Sequence, residues 1–146
     1  MTQASTLNRP LFFIGNFFVT IVAVLSMLLP AKPNNVTLNV SAPVTTETTV
    51  ITFEIENRTR RTIYFPEESY IFETQTDDGW TALEVLPHDV IEPMYEQRTG
   101  LTITETADLK VLFGGPLDAG TYRLTFFYHV GADRCSAQTV FTVTEV

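Results

Sequence analysis

The chemically reactive side chains of this chain are two histidines, a single cysteine and a few acidic pairs. His88 and His129 lie far apart in the sequence, and neither has a second ligand at the short spacing typical of a zinc site. Cys135 lies in the segment 131–136, which we predict to be a turn, with no histidine or acid at a spacing that suggests activation of the thiol. We therefore expect Cys135 to be a partly buried, unreactive thiol.

The acidic pairs offer the oxygen ligands that Ca²⁺ prefers in proteins. Glu67 and Glu68 form one pair, and Asp77 and Asp78 form another, with Glu73 close to it in the sequence. Neither segment shows the regular spacing of acidic and amide residues of a dedicated calcium loop, so we expect solvated turns. The sequence thus indicates no catalytic residue, no cofactor-binding residue and no metal ligand, and we predict that the protein is not an enzyme.

The most distinctive element lies near the amino terminus. Residues 11–29 (LFFIGNFFVTIVAVLSMLL) contain no charged side chain, and a helix of this length extends about 28 Å, close to the thickness of the hydrocarbon core of a bilayer. The run is longer than the apolar part of a secretory signal, and Leu29-Pro30-Ala31 is a poor cleavage site. We expect an uncleaved transmembrane helix over 11–30, after a short cytoplasmic amino terminus over 1–10. A cleaved signal peptide is the alternative.

One stripe of this predicted helix carries polar and small side chains. Asn16, Thr20, Ala23 and Met27 recur at the spacing that places residues on the same face of a helix. An asparagine that faced lipid would leave its amide without hydrogen bonds, so we expect the stripe to pack against a transmembrane helix of another subunit. The alternative is that Asn16, near the start of the helix, reaches the lipid headgroups.

The charge of the chain indicates on which side of the membrane residues 34–146 lie. The chain has 9 basic and 17 acidic residues. Arg9 and Lys32 flank the apolar run, so residues 34–146 retain 7 basic and all 17 acidic side chains, a net charge of −10. We predict that this acidic part lies outside the cytoplasm, in the periplasm or at the cell surface. Its charge argues against binding to nucleic acid and against docking on anionic lipid.

Beyond the apolar run, the sequence consists of short segments with the alternation of β-strands and no helical periodicity. Residues 48–57 place Ile51, Phe53 and Ile55 on one face and mostly polar side chains on the other. Many short strands at regular spacing predict an antiparallel sandwich. The predicted strands are 36–40, 48–57, 61–65, 70–76, 80–85, 101–106, 110–113, 121–129 and 137–143.

One short motif supports the prediction of a sandwich. Asp118, Gly120 and Tyr122 have the spacing of the tyrosine corner, in which a tyrosine at the start of a strand donates a hydrogen bond to backbone a few residues upstream. Leu124 follows at the position where antibody domains carry their second cysteine. We assign these residues a structural role, together with Trp80, which follows a typical hairpin turn. None of them indicates a ligand.

With these motifs the chain resembles the bacterial Ig-like domains of secreted and membrane-anchored proteins. The resemblance covers residues 46–146 and implies an all-β, immunoglobulin-like antiparallel sandwich. In the predicted chain this domain follows the transmembrane α-helix and a linker with the first strand over 31–45. A similar outline occurs in a Bacillus-type family of intracellular proteinase inhibitors, and neither resemblance brings catalytic residues. The segments that carry it are Phe53-Glu-Ile-Glu-Asn57, Ile63-Tyr-Phe65, Tyr70-Ile-Phe-Glu73, Asp77-Asp-Gly-Trp80, Leu117-Asp-Ala-Gly-Thr-Tyr-Arg-Leu124 and Phe141-Thr-Val143.

The least patterned segment of the predicted sandwich is 86–100 (LPHDVIEPMYEQRTG). Ordered loops of this length are often functional, and this one places Val90, Ile91, Met94 and Tyr95 among acidic residues. We expect these four side chains to contact another protein. The alternative is a crossover between the sheets, in which the same side chains cap the sandwich.

Together these observations predict a non-enzymatic, single-pass membrane protein that is an accessory or assembly subunit of a larger membrane complex. Its helix would pack against transmembrane subunits, and its Ig-like domain would contact extracytoplasmic protein subunits. A surface-displayed adhesion or ligand-binding module is the alternative, and a protease-inhibitor domain comes third. We expect no cofactor and no nucleic-acid partner.

Overall fold

Alternation of apolar and polar side chains organises more than half of the described residues into β-strands. The structure is a computed structural model that describes residues 32–33, 35–90 and 93–146. Within these ranges one short helix, α1 (Leu109–Phe113), accompanies the strands. The strands are β1 (Lys32–Pro33), β2 (Val36–Val40), β3 (Val44–Thr45), β4 (Val50–Asn57), β5 (Ile63–Pro66), β6 (Tyr70–Thr76), β7 (Gly79–Ala82), β8 (Met94–Gln97), β9 (Thr102–Asp108), β10 (Gly120–Val130) and β11 (Asp133–Thr144).

These strands form two sheets. In the larger sheet β10 is central: β11 pairs with one of its edges, and β6 and β5 pair with the other edge. β7 extends the sheet beyond β6, β8 extends it beyond β5, and β1 and β3 pair in parallel with β11. The smaller sheet has the order β2-β4-β9 and is antiparallel. The all-β prediction is confirmed, and the two sheets are consistent with an Ig-like sandwich.

The core lies between the two sheets. β4 contributes Ile51, Phe53 and Ile55 from the smaller sheet, and β10 contributes Leu124 and Phe126 from the larger one, all of them fully buried. Each such side chain stabilises the fold by about 1.5–3 kcal/mol when it leaves water. Because side chains alternate along a strand, the residues between them point away from the core.

The segment 110–113, which we predicted as a strand, is instead part of α1. Asp108 caps the helix, since its carboxylate accepts hydrogen bonds from two backbone N–H groups of the first turn at 2.9 and 3.2 Å. Gly114 ends it with a left-handed φ of +85°, and its N–H donates to the carbonyl oxygen of Lys110 at 3.0 Å. The strand prediction was wrong because a segment of four residues, three of them apolar, is too short to reveal a period.

The last strand begins earlier than predicted. β10 and β11 form a hairpin in which Val130 pairs with Asp133, so that only two residues remain in the turn. Gly131 adopts φ +61° there, a conformation that glycine adopts without steric cost. Cys135 therefore lies in β11 opposite Tyr128, and it is fully buried. The prediction of a partly buried thiol in a turn was wrong.

The described residues include no helix that is long and apolar enough to span a bilayer. The expected transmembrane helix over 11–30, with its stripe of Asn16, Thr20, Ala23 and Met27, lies outside the described residues. The segment 31–45, expected to be a linker with one strand, contributes β1 and β3 to the larger sheet and β2 to the smaller one.

Candidate functional site

Two of the predicted contact residues, Met94 and Tyr95, lie on β8, an edge strand of the larger sheet. The segment 86–100 is therefore not a loop throughout, since β8 pairs with β5. Met94 is 65 % exposed, Tyr95 41 % and Val90 39 %, whereas Ile91 lies outside the described residues. Met94 and Tyr95 are consecutive in a strand, so their side chains point to opposite faces. The structure thus divides the predicted set between two surfaces.

Met94 belongs to the outer face of the larger sheet, which carries aromatic side chains. Tyr64 in β5 is 40 % exposed and pairs with His129 of β10. His129 in turn pairs with Arg134, whose guanidinium lies 4.4 Å from the centre of the Phe127 ring. Paired residues point to the same side of a sheet, so these side chains form one surface. We name it the outer patch: Tyr64, Met94, Phe127, His129 and Arg134.

Arg134 keeps an unused donor within the outer patch. Its Nη1 atom is buried and has no hydrogen-bond partner among the residues that the structure describes, and burial lowers the pKa of its guanidinium. Aromatic residues, methionine and arginine are the side chains enriched at protein interfaces. The outer patch therefore has the composition of a protein-binding surface.

Tyr95 lies at the opposite side of β8, in a cleft at the open edge between the two sheets. Its ring lies 6.0 Å from that of Phe65, which in turn contacts Phe126 edge-on at 5.0 Å. Between these rings and the β5–β6 turn lies a small cleft that is partly open to solvent. We name it the edge cleft; its lining includes four rings and three carboxylates, from Phe65, Tyr70, Tyr95, Phe126, Glu67, Glu68 and Glu105.

One of the three carboxylates is already paired. His88 donates from Nε2 to Glu68 Oε2 at 2.6 Å and from Nδ1 to the carbonyl oxygen of Leu86 at 2.8 Å. An imidazole that donates from both nitrogens is protonated. The hydrogen bond to the Leu86 carbonyl, followed by the one to Glu68, raises the pKa of His88 accordingly. A protonated His88 thus forms an ion pair with Glu68.

The other two carboxylates are not paired in this way. Glu105 of β9 stands opposite Phe53 of β4 and on the same face as buried Ala107, so it points inward between the sheets. Burial, and then the negative charge of Glu67, raise the pKa of Glu105. Among the described residues no ion pair reaches Glu67 or Glu105. The edge cleft therefore contains two carboxylates without a cationic partner in the described part of the chain.

The residues of the expected tyrosine corner lie at the start of β10. Tyr122 donates from its hydroxyl to the carbonyl oxygen of Asp118 at 2.9 Å, and its ring stacks on Phe141 with centroids 5.8 Å apart. Burial raises the pKa of the Tyr122 hydroxyl. Gly120 begins the strand, and its Cα faces the Tyr122 ring, where an added Cβ would lie 3.6 Å from Cε2.

Tyr122→Phe is expected to lower the free energy of unfolding by about 1 kcal/mol, the usual cost of losing one such hydrogen bond. Urea denaturation of the full chain, followed by the fluorescence of Trp80, the only tryptophan, would measure it. Tyr64→Phe is the matched control, because that hydroxyl is on an exposed residue. Equal midpoints for Tyr122→Phe and the wild-type chain would show that the bond to Asp118 does not stabilise the fold.

Trp80 lies on the outer face, away from the edge cleft, where it covers a polar cluster. The guanidinium of Arg123 lies 4.7 Å from the centre of the Trp80 ring. Arg123 donates to both carboxylate oxygens of buried Glu73 at 2.5 and 2.7 Å, and Thr125 donates to it at 3.2 Å. Glu73 is thus bound within the sheet. In the described part of the chain no group of three acidic, histidine or cysteine side chains is arranged to hold a metal ion.

Sequence reasoning missed a buried polar centre under β8. Asn57, fully buried, donates from Nδ2 to the carbonyl oxygens of Arg61 and Gln97 at 2.9 Å each. Its Oδ1 accepts from the backbone N–H and the hydroxyl of Thr59 at 3.0 and 2.7 Å. The alternation along β4 was the available signal for a buried asparagine, because Asn57 occupies the next inward-facing position after Ile55. This centre holds the last residue of β8 against the end of β4.

A comparison with known protein families identifies the family of this chain. The sequence profile of a family described as a bacterial Ig-like domain matches residues 32–135, a span that runs from β1 into the first residues of β11 and includes the outer patch and the edge cleft. No curated protein and no solved structure matches the chain.

Proposed function

Because the chain belongs to the bacterial Ig-like domain family, we propose that it is a non-enzymatic, single-pass membrane protein, an accessory subunit whose Ig-like domain binds another subunit. Domains of this family are generally surface or protein-interaction modules and are typically non-catalytic. The proposal adds to this a membrane anchor, a partner in the same membrane and a surface that contacts it.

The outer patch is the observation that carries the proposal. Met94 is 65 % exposed on an edge strand, on the same face of the sheet as the exposed Tyr64. A group of exposed apolar side chains that share one face favours a protein partner over solvent. The thioether of methionine adapts to irregular surfaces, and the outer edge of β8 offers backbone groups to which a strand of the partner can pair.

The membrane part of the proposal is supported by the sequence. The uncharged run 11–29 has the length of a transmembrane helix, and the acidic part that follows favours a location outside the cytoplasm. An anchored domain of this kind is held close to the membrane subunits that it contacts. The local concentration of the partner is then high, so that a modest interface suffices for assembly.

Met94→Asp is expected to reduce recovery of the partner by at least about tenfold, because a carboxylate buried without a counter-charge destabilises an interface by several kcal/mol. Crosslinking in the native membrane, followed by purification of the full chain in mild detergent, would measure the recovery. Val140→Asp is the matched control, since Val140 is 57 % exposed on β11 and lies outside the outer patch.

Equal recovery of the partner with Met94→Asp and Val140→Asp would show that the outer patch does not bind the partner. A wild-type chain that crosslinks to nothing and purifies as a monomer would contradict the subunit function itself. Crosslinks to extracellular molecules, rather than to a protein of the same membrane, would favour the alternative function of a surface-displayed adhesion module.

A further inference from the structure

Two arginines of the larger sheet stack on aromatic rings, and they differ in their acidic partners. Arg123 lies over the Trp80 ring and donates to both carboxylate oxygens of Glu73. Arg134 lies over the Phe127 ring, but in the described part of the chain it forms no ion pair, and its buried Nη1 atom has no hydrogen-bond partner. Arg134 therefore has the setting of Arg123 without a carboxylate.

The neighbours of Arg134 on the outer face are hydrogen-bond donors. His129 pairs with Arg134, and Tyr64 of β5 pairs with His129, so these three side chains form one row across three strands. Asp133, adjacent in the sequence, points to the opposite side of β11. Glu96 lies opposite Tyr64 in β8, three strand spacings or about 14 Å from Arg134 along this row. The guanidinium thus stands at the end of the row that is remote from Glu96.

A guanidinium that is partly withdrawn from water favours a counter-charge. Burial lowers the pKa of Arg134, which is the direction expected for a cation that loses water without gaining an acidic neighbour. Arginine is well suited to ion pairs at interfaces, because its planar group donates to both oxygens of a carboxylate. A carboxylate that arrives with the partner supplies the counter-charge that the described residues do not.

A structural explanation of Arg134 requires no partner, because stacking on Phe127 can itself hold the guanidinium in place. In addition, the net charge of −10 of residues 34–146 repels an acidic partner at long range. Salt screens charges that are more than about 8 Å apart, so the donors at the point of contact decide recognition there. The two explanations differ in a measurable way, since the structural one predicts that substitution of Arg134 leaves the partner bound.

We propose that Arg134 binds the carboxylate of an aspartate or glutamate of the partner subunit. The guanidinium pairs with both carboxylate oxygens, and the side chain of His129 lies beside this pair. The inference rests on the proposed function, because Arg134 belongs to the outer patch. It adds the chemistry of one contact: the partner presents an acidic residue to the end of the β10–β11 hairpin and an apolar surface to Met94.

Carbodiimide coupling of Arg134→Lys in the native membrane, followed by mass spectrometry, tests the proposal. The reagent activates a carboxylate, and a lysine amine in contact with it displaces the activating group as a urea, so that an amide bond forms without a spacer. We expect residue 134 of this variant to couple to an aspartate or glutamate of another protein. Arg58→Lys is the control, because Arg58 contacts Glu56 of the same chain at 2.7 Å and its variant is expected to couple within the chain.

Arg134→Gln is expected to reduce recovery of the partner at least about fivefold, since the interface loses one charge of the pair. Arg134→Lys retains the charge and is expected to lose less. Arg58→Gln, which removes an exposed arginine outside the outer patch, leaves recovery unchanged. Urea denaturation of each variant separates recovery of the partner from stability.

Three outcomes overturn the proposal. The first is wild-type recovery of the partner by folded Arg134→Gln, which favours the structural explanation. The second is coupling of residue 134 in Arg134→Lys only within the chain or to no molecule at all. The third is coupling to the carboxylate of a lipid headgroup, which assigns the arginine to the membrane surface instead of a protein.

The failure of this inference is distinguishable from failure of the proposed function. Met94→Asp changes the outer patch and leaves Arg134 in place. Recovery of the partner that is lost with Met94→Asp and unchanged with Arg134→Gln overturns the arginine contact alone. A wild-type chain that recovers no partner from its native membrane overturns the subunit function, and with it the assignment of the carboxylate to a subunit.

Discussion

Asn57→Ala is expected to lower the free energy of unfolding by about 3–4 kcal/mol, because each buried polar group left without its partner costs about 1–3 kcal/mol. The substitution removes four hydrogen bonds of the Asn57 amide. Two of them go to the carbonyl oxygens of Arg61 and Gln97, and two come from the N–H and the hydroxyl of Thr59. Thr59 retains one bond, to Arg61, at 2.7 Å. An effect of this size is a large fraction of the stability of a small domain.

Urea denaturation of the full chain, monitored through Trp80 fluorescence, would measure the loss for Asn57→Ala. Asn39→Ala is the matched control, because Asn39 is exposed on the neighbouring strand β2 and its substitution is expected to change the stability by less than about 0.5 kcal/mol. A decrease in the free energy of unfolding below about 1 kcal/mol for Asn57→Ala would mean that water replaces the amide, and that the buried polar centre is accessible to solvent.

The Asn57 centre also connects stability to the proposed contacts. Gln97 ends β8, and its own side chain donates to the carbonyl oxygens of Ile55 and Leu101 at 2.8 and 2.6 Å. Both the outer patch and the edge cleft depend on the position of β8, through Met94 and Tyr95. Loss of the Asn57 amide is therefore expected to disturb both surfaces, although neither of them contains Asn57.

Strands with strong alternation could be predicted from the sequence. The segments 48–57 and 121–129 correspond to β4 and β10, because a period of two over eight or more residues leaves few alternatives. The segment 94–97 could not be predicted, because three of its four residues are exposed and its pairing with β5 is a contact distant in sequence. The helix over 109–113 depends on caps, Asp108 and Gly114, rather than on a pattern.

The candidate site could be predicted only in part. The sequence predicts Met94 and Tyr95 as contact residues, and this stays a prediction. Their orientation toward two different surfaces follows from β8 being a strand. The edge cleft joins Glu105 of the smaller sheet to Tyr95 of the larger one, and the sequence does not reveal which strand edges meet. The inward series Ile103, Glu105 and Ala107 was the available signal that one carboxylate points into the sandwich.

Phe53→Ala is expected to lower the free energy of unfolding by about 3–5 kcal/mol, since it removes a fully buried ring and leaves a cavity between the sheets. Phe53 also supports the edge cleft: its ring contacts that of Tyr70 edge-on at 5.2 Å, and it lies opposite Glu105. Val50→Ala is the control, because Val50 is exposed on the same strand. Denaturation of the full chain would measure the stability of both variants. A loss for Phe53→Ala no larger than that for Val50→Ala would mean that the smaller sheet does not share a core with the larger one, and that Glu105 and Tyr95 do not line one cleft.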